Sequence, residues 1–388
     1  MEDEPTYVDY TIDLITYHSN QVKTKEYETK HAKYLIVNSD SDIYRSIIAC
    51  PETKKILCFS PPKSIEFSEF KEKHEKINDD ILVNEVIEGT MLNLFYDKRI
   101  QSWELGTRGA VGGNYWFFRN QYSVDEKSIM IHQPTFRQMF LQAFRANDGQ
   151  DINDLPFLEY LSKDYSYSFV LQHPANHIVK IILTPIIYLV AVYHLLDDHV
   201  VSIPPTVFEE WNCFLGIRGL LEFPRRFDEE SYEELSLNNS LFNMVGIMFY
   251  HLKTGERAPM ENELYKVARE LRGNNPNLQY QYLSLRHCGK VDDFLTFFPR
   301  YKKLFYKFYK QYNDFVTQLH QSYVSYYVEK SGIRISKRYF PLTYKIHHEV
   351  FLPSKVESEP MIIRRSVVAD FIKKVEVNVL IFYLNSME

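Results

Sequence analysis

The chain has 388 residues, of which 45% are hydrophobic and 25% charged, and its sequence shows no low-complexity tract or internal repeat. These values are typical of a soluble globular protein with room for one large or two ordinary domains. The net charge of −6 is unevenly spread, since residues 1–268 hold 26 basic and 40 acidic side chains and residues 269–388 hold 19 and 11. This asymmetry favours two domains and makes the second the better candidate to meet a polyanion.

The cysteines and the N-terminus indicate the compartment. The four cysteines form neither a CxxC pair nor the pattern of a small disulfide scaffold: Cys50, Cys58, Cys213 and Cys288. Residues 1–14 are acidic and lack the apolar core of a signal peptide. We therefore expect a reducing, intracellular and cytoplasmic location.

The first part of the chain predicts short strands and one hairpin. Residues 34–37 and 55–59 are strand-like and lead into a Pro61-Pro62-Lys63 loop, which the two prolines make rigid. A charged helix is predicted over 66–78. Residues 86–113 follow, with apolar alternation, a turn at Asp97-Lys98 and a glycine-rich exit, which together predict a half-buried hairpin.

The middle of the chain predicts a helix and then more strands. Residues 132–148 carry a helical apolar stripe, and residues 168–171 form a strand before a turn at 173–176. The longest apolar run, residues 178–196, is long enough to suggest a membrane span. Lys180 and Pro185 argue against that, and the β-branched content favours two buried strands broken at Thr184-Pro185. We expect no membrane segment.

The last third of the chain predicts helices. Residues 242–265 predict a strand, a turn at Lys253-Thr254-Gly255 and a second strand, after which the periodicity becomes helical. One amphipathic helix is predicted after Pro299. A domain joint is predicted near 266–275, where glycine, asparagine and proline come together. The fold class is therefore α+β, with antiparallel hairpins first and helices last.

This order of elements resembles the phage-type RNA ligases, a branch of the covalent nucleotidyltransferase superfamily. The resemblance covers about residues 55–265 and lies in four stretches: SPPK, VIEGTMLNLFYD with LGTRGAVGG, FVLQHPANHIV, and NMVGIMFYHLKTGERAPMENELY. It implies an antiparallel-sheet, ATP-grasp-like ligase core in residues 1–268 and a basic α-helical domain in residues 269–388. Such divergent forms resemble proteins of large DNA viruses, which implies the host cytoplasm.

The family's chemistry requires particular residue types. A lysine attacks the α-phosphorus of ATP, carboxylates hold the ribose and a divalent metal, and two further lysines neutralise the phosphates. The resemblance places uncharged or acidic residues at most of these positions: Val86 at the nucleophile, Val170 and Val245 at glutamates, His177 at an arginine, and Pro259 and Glu261 at the two lysines. The residues that match are Gly89, Arg108, Asn176, Gly246 and Gly255, with Glu88 at the motif's aspartate. The glycines that shape the backbone survive and the catalytic charges do not, which indicates a non-catalytic descendant.

Three functions stay open from the sequence. The first is a protein without cofactor that binds RNA or a protein partner. The second is an active, divergent ATP- and Mg²⁺-dependent RNA ligase or nucleotidyltransferase that uses Lys63 as a relocated nucleophile and Glu88 as a surviving acid. The third is a structural or assembly protein. The simpler interpretation of Lys63 is an ordinary loop lysine, and that of Glu88 a solvent-facing or turn-capping residue.

Two further patterns each allow a structural and a functional interpretation. His173 and His177 have a spacing that zinc can use, but no cysteine or carboxylate set accompanies them, so we expect no metal site. Steps of three and four residues predict a basic stripe on one helix face: Arg300, Lys303, Lys307 and Lys310. The simpler interpretation of the stripe is a solvated face over a core face. The alternative is a nucleic-acid-binding surface, which the positive balance of residues 269–388 supports.

Overall fold

The computed structural model describes residues 7–14, 22–39, 43–74, 78–115, 134–147, 149–197, 199–228, 244–275, 277–332, 334–355 and 361–386. These residues form two compact units, with the partition between Arg269 and Glu270. The partition falls within a helix, α5, which runs from Glu263 to Arg272. The glycine- and asparagine-rich segment in which the joint was predicted ends this helix.

The first unit is built on one large and two small sheets. The large sheet has the order β1-β12-β11-β10-β7-β8-β9, with β13 parallel to β11 and the other pairs antiparallel. Its strands are β1 (Val8–Thr11), β7 (Thr90–Asp97), β8 (Ser102–Thr107), β9 (Ala110–Val111), β10 (Tyr165–Gln172), β11 (Ile186–Leu195), β12 (His199–Ile203) and β13 (Leu221–Glu222).

Both small sheets are antiparallel. One has the order β2-β3-β4-β5, with β2 (Val22–Glu28), β3 (Lys33–Ser39), β4 (Ile47–Ala49) and β5 (Ile56–Phe59). The other has the order β15-β14-β6, with β6 (Ile81–Glu85), β14 (Gly246–His251) and β15 (Arg257–Glu261). The predicted α+β class, the hairpin of β7 and β8, and the strand pair β14–β15 are confirmed.

Helices cover the sheets of this unit. They are α1 (Phe67–Lys73), α2 (Phe136–Ala143), α3 (Pro205–Phe208) and α4 (Asn212–Leu215), with 3₁₀ turns at Ile43–Arg45, Ile152–Asp154 and Pro156–Tyr160. Thr135 begins α2 with a capping box that it forms with Gln138, and the predicted apolar stripe places Phe140 in the core under Phe169 of β10. The core of the large sheet therefore lies on the side that α2 covers.

One predicted element is wrong. Residues 178–183 are an irregular segment rather than the first of two buried strands, and only β11 forms from the apolar run. Ile181 and Leu183 are 61% and 84% exposed. The physical reason is that the backbone N–H groups of residues 178–180 donate to the carboxylate of Glu88 rather than to a neighbouring strand.

The second unit is helical, as predicted. Its helices are α6 (Leu278–His287), α7 (Val291–Phe297), α8 (Lys302–Tyr323), α9 (Phe340–Ile346), α10 (Leu352–Ser354), α11 (Arg365–Ile372) and α12 (Val377–Asn385). A 3₁₀ turn at Pro299–Tyr301 precedes α8, and π-helical turns follow α8 (Val324–Val328) and α9 (His347–Phe351). Among the residues described, no helix is both long and apolar enough for a membrane span.

Candidate functional site

The turn at residues 86–90 holds a buried carboxylate. Glu88 is only 8% exposed, so its predicted solvent-facing role is wrong. Its Oε1 accepts the backbone N–H groups of Ile178 (2.8 Å) and Val179 (3.0 Å), and its Oε2 accepts that of Lys180 (3.0 Å). A carboxylate that is removed from water needs such donors, because an unpaired buried charge is strongly destabilising.

A tyrosine on α5 completes this network. The hydroxyl of Tyr265 donates to Glu88 Oε2 at 3.0 Å. Burial and the adjacent negative charge raise the pKa of Tyr265 far above its ordinary value, so the hydroxyl keeps its proton at all physiological pH values. Glu88 therefore joins the turn before β7, the irregular segment after β10 and the start of α5. We call these residues the Glu88 network: Glu88, Ile178, Val179, Lys180 and Tyr265.

Gly89 and Gly246 are required by packing. A Cβ atom on Gly89 would lie 2.5 Å from the carbonyl oxygen of Leu171, because the turn crosses close to β10. Gly246 has a φ of +151°, and a Cβ atom there would overlap the carbonyl oxygen of Met260 on β15. Both glycines thus have a structural role that does not depend on a nucleotide.

Asn176 belongs to the same region. Its Nδ2 donates to Thr90 Oγ1 at 2.7 Å, and Gln172 Nε2 donates to the Glu88 carbonyl at 2.8 Å. The structure therefore brings together four of the predicted site residues: Glu88, Gly89, Asn176 and Gly246. These residues contact other parts of the fold, and those contacts fix the path of the chain around the start of β7.

A cavity of about 160 Å³ lies beside Val86, between the β15-β14-β6 sheet and the large sheet. Its lining includes Val86 of the turn before β7, Met91 of β7 and Val170 of β10. Met248 of β14 lines the opposite side. Two of the predicted substitutions, Val86 and Val170, therefore do share one pocket. Pro259 and Glu261 pair with Met248 and Gly246 on the neighbouring strand and are not among the lining residues.

The sequence patterns do not predict two polar residues of the cavity, Arg257 and Asn84. Arg257, on β15, is the one cation among the described lining residues, and its guanidinium donates to the carbonyl of Pro62. Its Nε and the Oδ1 of Asn84 are buried without a hydrogen-bond partner among the described residues. Strand parity could have identified Arg257, because it shares a strand face with Pro259 and Glu261. No sequence pattern marked Tyr265.

The remaining residues predicted for the enzyme lie apart from the Glu88 network. Lys63 is exposed on its loop and is not among the residues that line the cavity, although its neighbour Pro62 contacts Arg257. Arg108 lies in the turn between β8 and β9, where its Nε donates to Asn38 Oδ1 at 3.0 Å.

His173 is a buried, neutral histidine. Its Nε2–H donates to Gln142 Oε1 (2.7 Å), and its Nδ1 accepts the N–H of Ala175 (3.0 Å). Burial lowers the pKa of His173 to about 4. His177 Nδ1 instead donates to the Pro174 carbonyl, at 2.8 Å. In the described part of the chain, no three histidine, cysteine or carboxylate side chains stand together in a way that could hold a metal ion.

The predicted basic stripe lies on α8 and the turn before it. All four residues are exposed, and Arg300 lies over the rings of Phe298 and Tyr301 at 5.8 and 5.1 Å. None of the lysine ion pairs formed by described residues includes Lys303, Lys307 or Lys310. The opposite face of α8 is core, as predicted, with six buried side chains: Phe305, Tyr312, Phe315, Val316, Leu319 and Tyr323.

The start of α8 is electrostatically unfavourable. Its first turn holds Lys302 and Lys303 and no acidic residue. Cations at a helix N-terminus oppose the helix dipole, and the like charges of Lys303 and Lys307, four residues apart, repel each other. Each effect costs a few tenths of a kcal/mol to about 1 kcal/mol. The charges on this face are therefore not explained by the stability of the helix.

Comparison with known proteins gives one viral relative. No protein-family profile matches the chain. Over 260 residues it is 24% identical to the Immediate-early protein ICP-46 homolog of Invertebrate iridescent virus 6. The match covers 65% of this chain and 54% of that protein, so the chain spans about half the length of the viral relative.

Ligases are among the similar solved structures. An Aquifex aeolicus protein that is named as an ATP-dependent DNA ligase has a TM-score of 0.44 at 13% identity, over 65% of this chain and 62% of that one. An archaeal ATP-dependent RNA ligase has a TM-score of 0.37 at 13% identity, over 90% and 82%. A Naegleria gruberi RNA ligase with ATP and Mn has a TM-score of 0.36 at 11% identity, over 54% and 58%.

Proposed function

We propose that this protein is an RNA-ligase-like protein that has lost adenylylation chemistry and binds RNA through the basic face of α8. The observation that carries the proposal is a row of exposed cations without a carboxylate partner among the described residues, on a helix that they destabilise. A surface that lowers stability is expected where it serves a ligand. The two domains that we propose, residues 1–268 and 269–388, then separate a scaffold from an RNA-binding part.

The cavity beside Val86 does not fit covalent chemistry with ATP and Mg²⁺. Its volume of about 160 Å³ is below the roughly 300–1,000 Å³ that is usual for sites of small molecules. Among the described residues that line it there is no lysine that could attack a phosphorus atom, and Val86 and Val170 stand where the resemblance implies charged side chains. Glu88, which could otherwise bind a metal, already accepts four hydrogen bonds from the protein.

A nucleotide-adduct experiment tests the loss of chemistry. The full chain is incubated with Mg²⁺ and labelled ATP, GTP or NAD and separated on a denaturing gel. We expect no labelled band. An acid-labile adduct that disappears in Lys63→Ala and persists in Lys71→Ala, a second exposed lysine, would show that the loop lysine is a nucleophile and would overturn this part of the proposal.

A salt titration tests RNA binding. Affinity of the full chain for a single-stranded RNA is measured at several salt concentrations, for the wild type, for Lys303→Ala/Lys307→Ala and for the control Lys23→Ala/Lys25→Ala on β2. Each lysine that contacts a phosphate contributes about 0.7 to the slope of log affinity against log salt. We expect the α8 variant to lose about 1.4 from that slope and the β2 variant to keep it. Absence of wild-type binding at low salt would refute the proposal.

A further inference from the structure

The end of α8 forms one side of a groove of about 650 Å³ in the second unit. Both π-helical turns contribute to it, Val324–Val328 after α8 and His347–Phe351 after α9. The ring of Tyr327 from the first turn stacks on the ring of His347 from the second, with centroids 3.7 Å apart and planes at 5°. Such one-turn π segments are frequent at functional sites. We call this feature the tyrosine groove.

The rings of the tyrosine groove are uncharged. Tyr323 Oη and His347 Nδ1 share a hydrogen bond of 3.2 Å. The partial burial of His347 and nearby cations lower its pKa, and burial raises the pKa of Tyr323 to about 12. Phe351 continues the stack, with its ring centroid 5.1 Å from that of His347. The groove thus offers a run of neutral aromatic faces.

The rim of the groove is cationic. Arg364 and Arg365 line it and are exposed, and no aspartate or glutamate is among the described residues that line it. Arg365 is held in place by neutral groups, since its Nε donates to Thr317 Oγ1 (3.0 Å) and its guanidinium to Asn313 Oδ1 (3.2 Å). Its charge is therefore not neutralised by these partners.

Arg365 connects the groove with the basic face of α8. Thr317, its partner, lies seven residues after Lys310, which places the two on nearly the same helix face about 10 Å apart along the axis. The row of cations on α8 thus continues through Arg365 to the edge of the tyrosine groove. A backbone of regularly spaced phosphates matches such a row, and unpaired bases match the aromatic faces.

We propose that the tyrosine groove binds an unpaired base of single-stranded RNA against Tyr327 and His347, while the adjoining phosphates contact Arg364 and Arg365. The inference rests on the proposed RNA-binding function and narrows its ligand to single strands. A duplex cannot use the groove, because its bases are paired and stacked on one another. The charge of the rim favours RNA over an acidic peptide, since the phosphates continue along α8 where further cations meet them.

The experiment compares a 12-nucleotide RNA as a single strand and annealed to its complement, by fluorescence anisotropy with the full chain. The variants are Tyr327→Ala, Arg364→Gln and the control Tyr160→Ala, a tyrosine of the first unit that is 71% exposed. We expect Tyr327→Ala to weaken single-strand binding by about 10-fold without changing the salt slope, because stacking releases no counterions. Arg364→Gln should lower the slope by about 0.7, and Tyr160→Ala should change neither value.

The outcomes separate the inference from the function on which it rests. If the wild type binds neither RNA, the proposed function fails. If the wild type instead binds the single strand and the duplex equally, with Tyr327→Ala and Arg364→Gln unchanged from it, the proposed RNA-binding function stands. The inference about the groove is then overturned, and a protein partner becomes the better candidate for the groove. Tyr327 is half-buried, so circular dichroism is used to check that Tyr327→Ala keeps the fold. If it does not, Arg364→Gln tests the inference, because Arg364 is exposed and its substitution should not affect folding.

Discussion

The charged groups of the Glu88 network and of the basic face of α8 have opposite surroundings. Glu88 is buried, and its carboxylate accepts four hydrogen bonds from the protein itself. Lys303, Lys307 and Lys310 are exposed and form no ion pair with the described part of the chain. A charge with internal partners therefore holds the fold together, whereas a charge without such partners is available to a ligand.

The comparison also separates two meanings of a retained motif residue. The resemblance to RNA ligases would place Glu88, Gly89 and Gly246 in motifs, and the contacts that these residues make here are within the fold. If the proposed loss of chemistry holds, these residues are kept because the backbone needs them. Substitutions in the two regions should accordingly affect different measurements, stability in the first and RNA affinity in the second.

The largest expected effect is that of Glu88→Ala. Its removal leaves three backbone N–H groups and the Tyr265 hydroxyl without their charged acceptor, which we expect to lower the free energy of unfolding by about 4 kcal/mol. The tryptophans among the described residues, Trp103 and Trp211, lie in the first unit, so tryptophan fluorescence in urea reports on that unit.

The control for this variant is Glu85→Ala, three residues earlier on β6 and only partly buried. We expect Glu85→Ala to stay within about 1 kcal/mol of the wild type. Equal stabilities of the two variants would contradict a structural role for Glu88 and would return it to the list of candidate catalytic acids.

The next effect is that of Gly89→Ala. The added Cβ would lie 2.5 Å from Leu171 O and 2.7 Å from Val170 Cγ1, so the turn must move away from β10 at a cost of about 3 kcal/mol. Gly109→Ala, in the turn before β9, meets no atom within 4 Å and should be nearly neutral. The fluorescence midpoint in urea measures both, and a neutral Gly89→Ala would mean that the glycine is kept for a ligand.

A smaller effect concerns His173 and pH. Its folded pKa of about 4 lies below the ordinary value of 6.5, so the unfolded chain binds the proton first and stability falls as the pH drops through this window. Between pH 7 and pH 5 we expect a loss of about 2 kcal/mol from this group. Urea titrations at both pH values should show the loss in the wild type and not in His173→Gln. A parallel loss in both would assign it to carboxylates instead.

Local pattern was enough to predict the strands and helices that carry the site. Alternation found the β7–β8 hairpin and the β14–β15 pair, and helical spacing found α2 and the core face of α8. These elements form where their own apolar residues face a core, so sequence-local information determines them. The resemblance to ligases predicts five substituted residues in one pocket; Val86 and Val170 line the cavity, whereas Val245, Pro259 and Glu261 are not among its lining residues.

Long-range polar pairing was beyond the same reasoning. The apolar segment 178–183 has the composition of a strand. It does not pair with another strand because the N–H groups of residues 178–180 donate to the carboxylate of Glu88, ninety residues earlier. Tyr265 and Arg257 likewise gain their roles from distant partners, Glu88 and Pro62. Propensity scales describe neighbours along the chain and carry no information about such partners.

The smallest expected effect is that of Lys303→Ala, and it distinguishes most clearly between a binding surface and a solvated face on α8. Lys303→Ala removes a cation from the first turn of α8 and from a repulsive pair with Lys307, so we expect the second unit to become more stable by about 0.5 kcal/mol. Circular dichroism of the helices in urea follows that unit, and tryptophan fluorescence should not change. Lys71→Ala on α1, in the last turn where a cation is favourable, is the matched control and should lower stability slightly. A gain in stability together with a loss of RNA affinity is the result that separates a binding surface from a merely solvated face. If Lys303→Ala instead lowers stability, the charge has a structural partner and the contrast with Glu88 disappears.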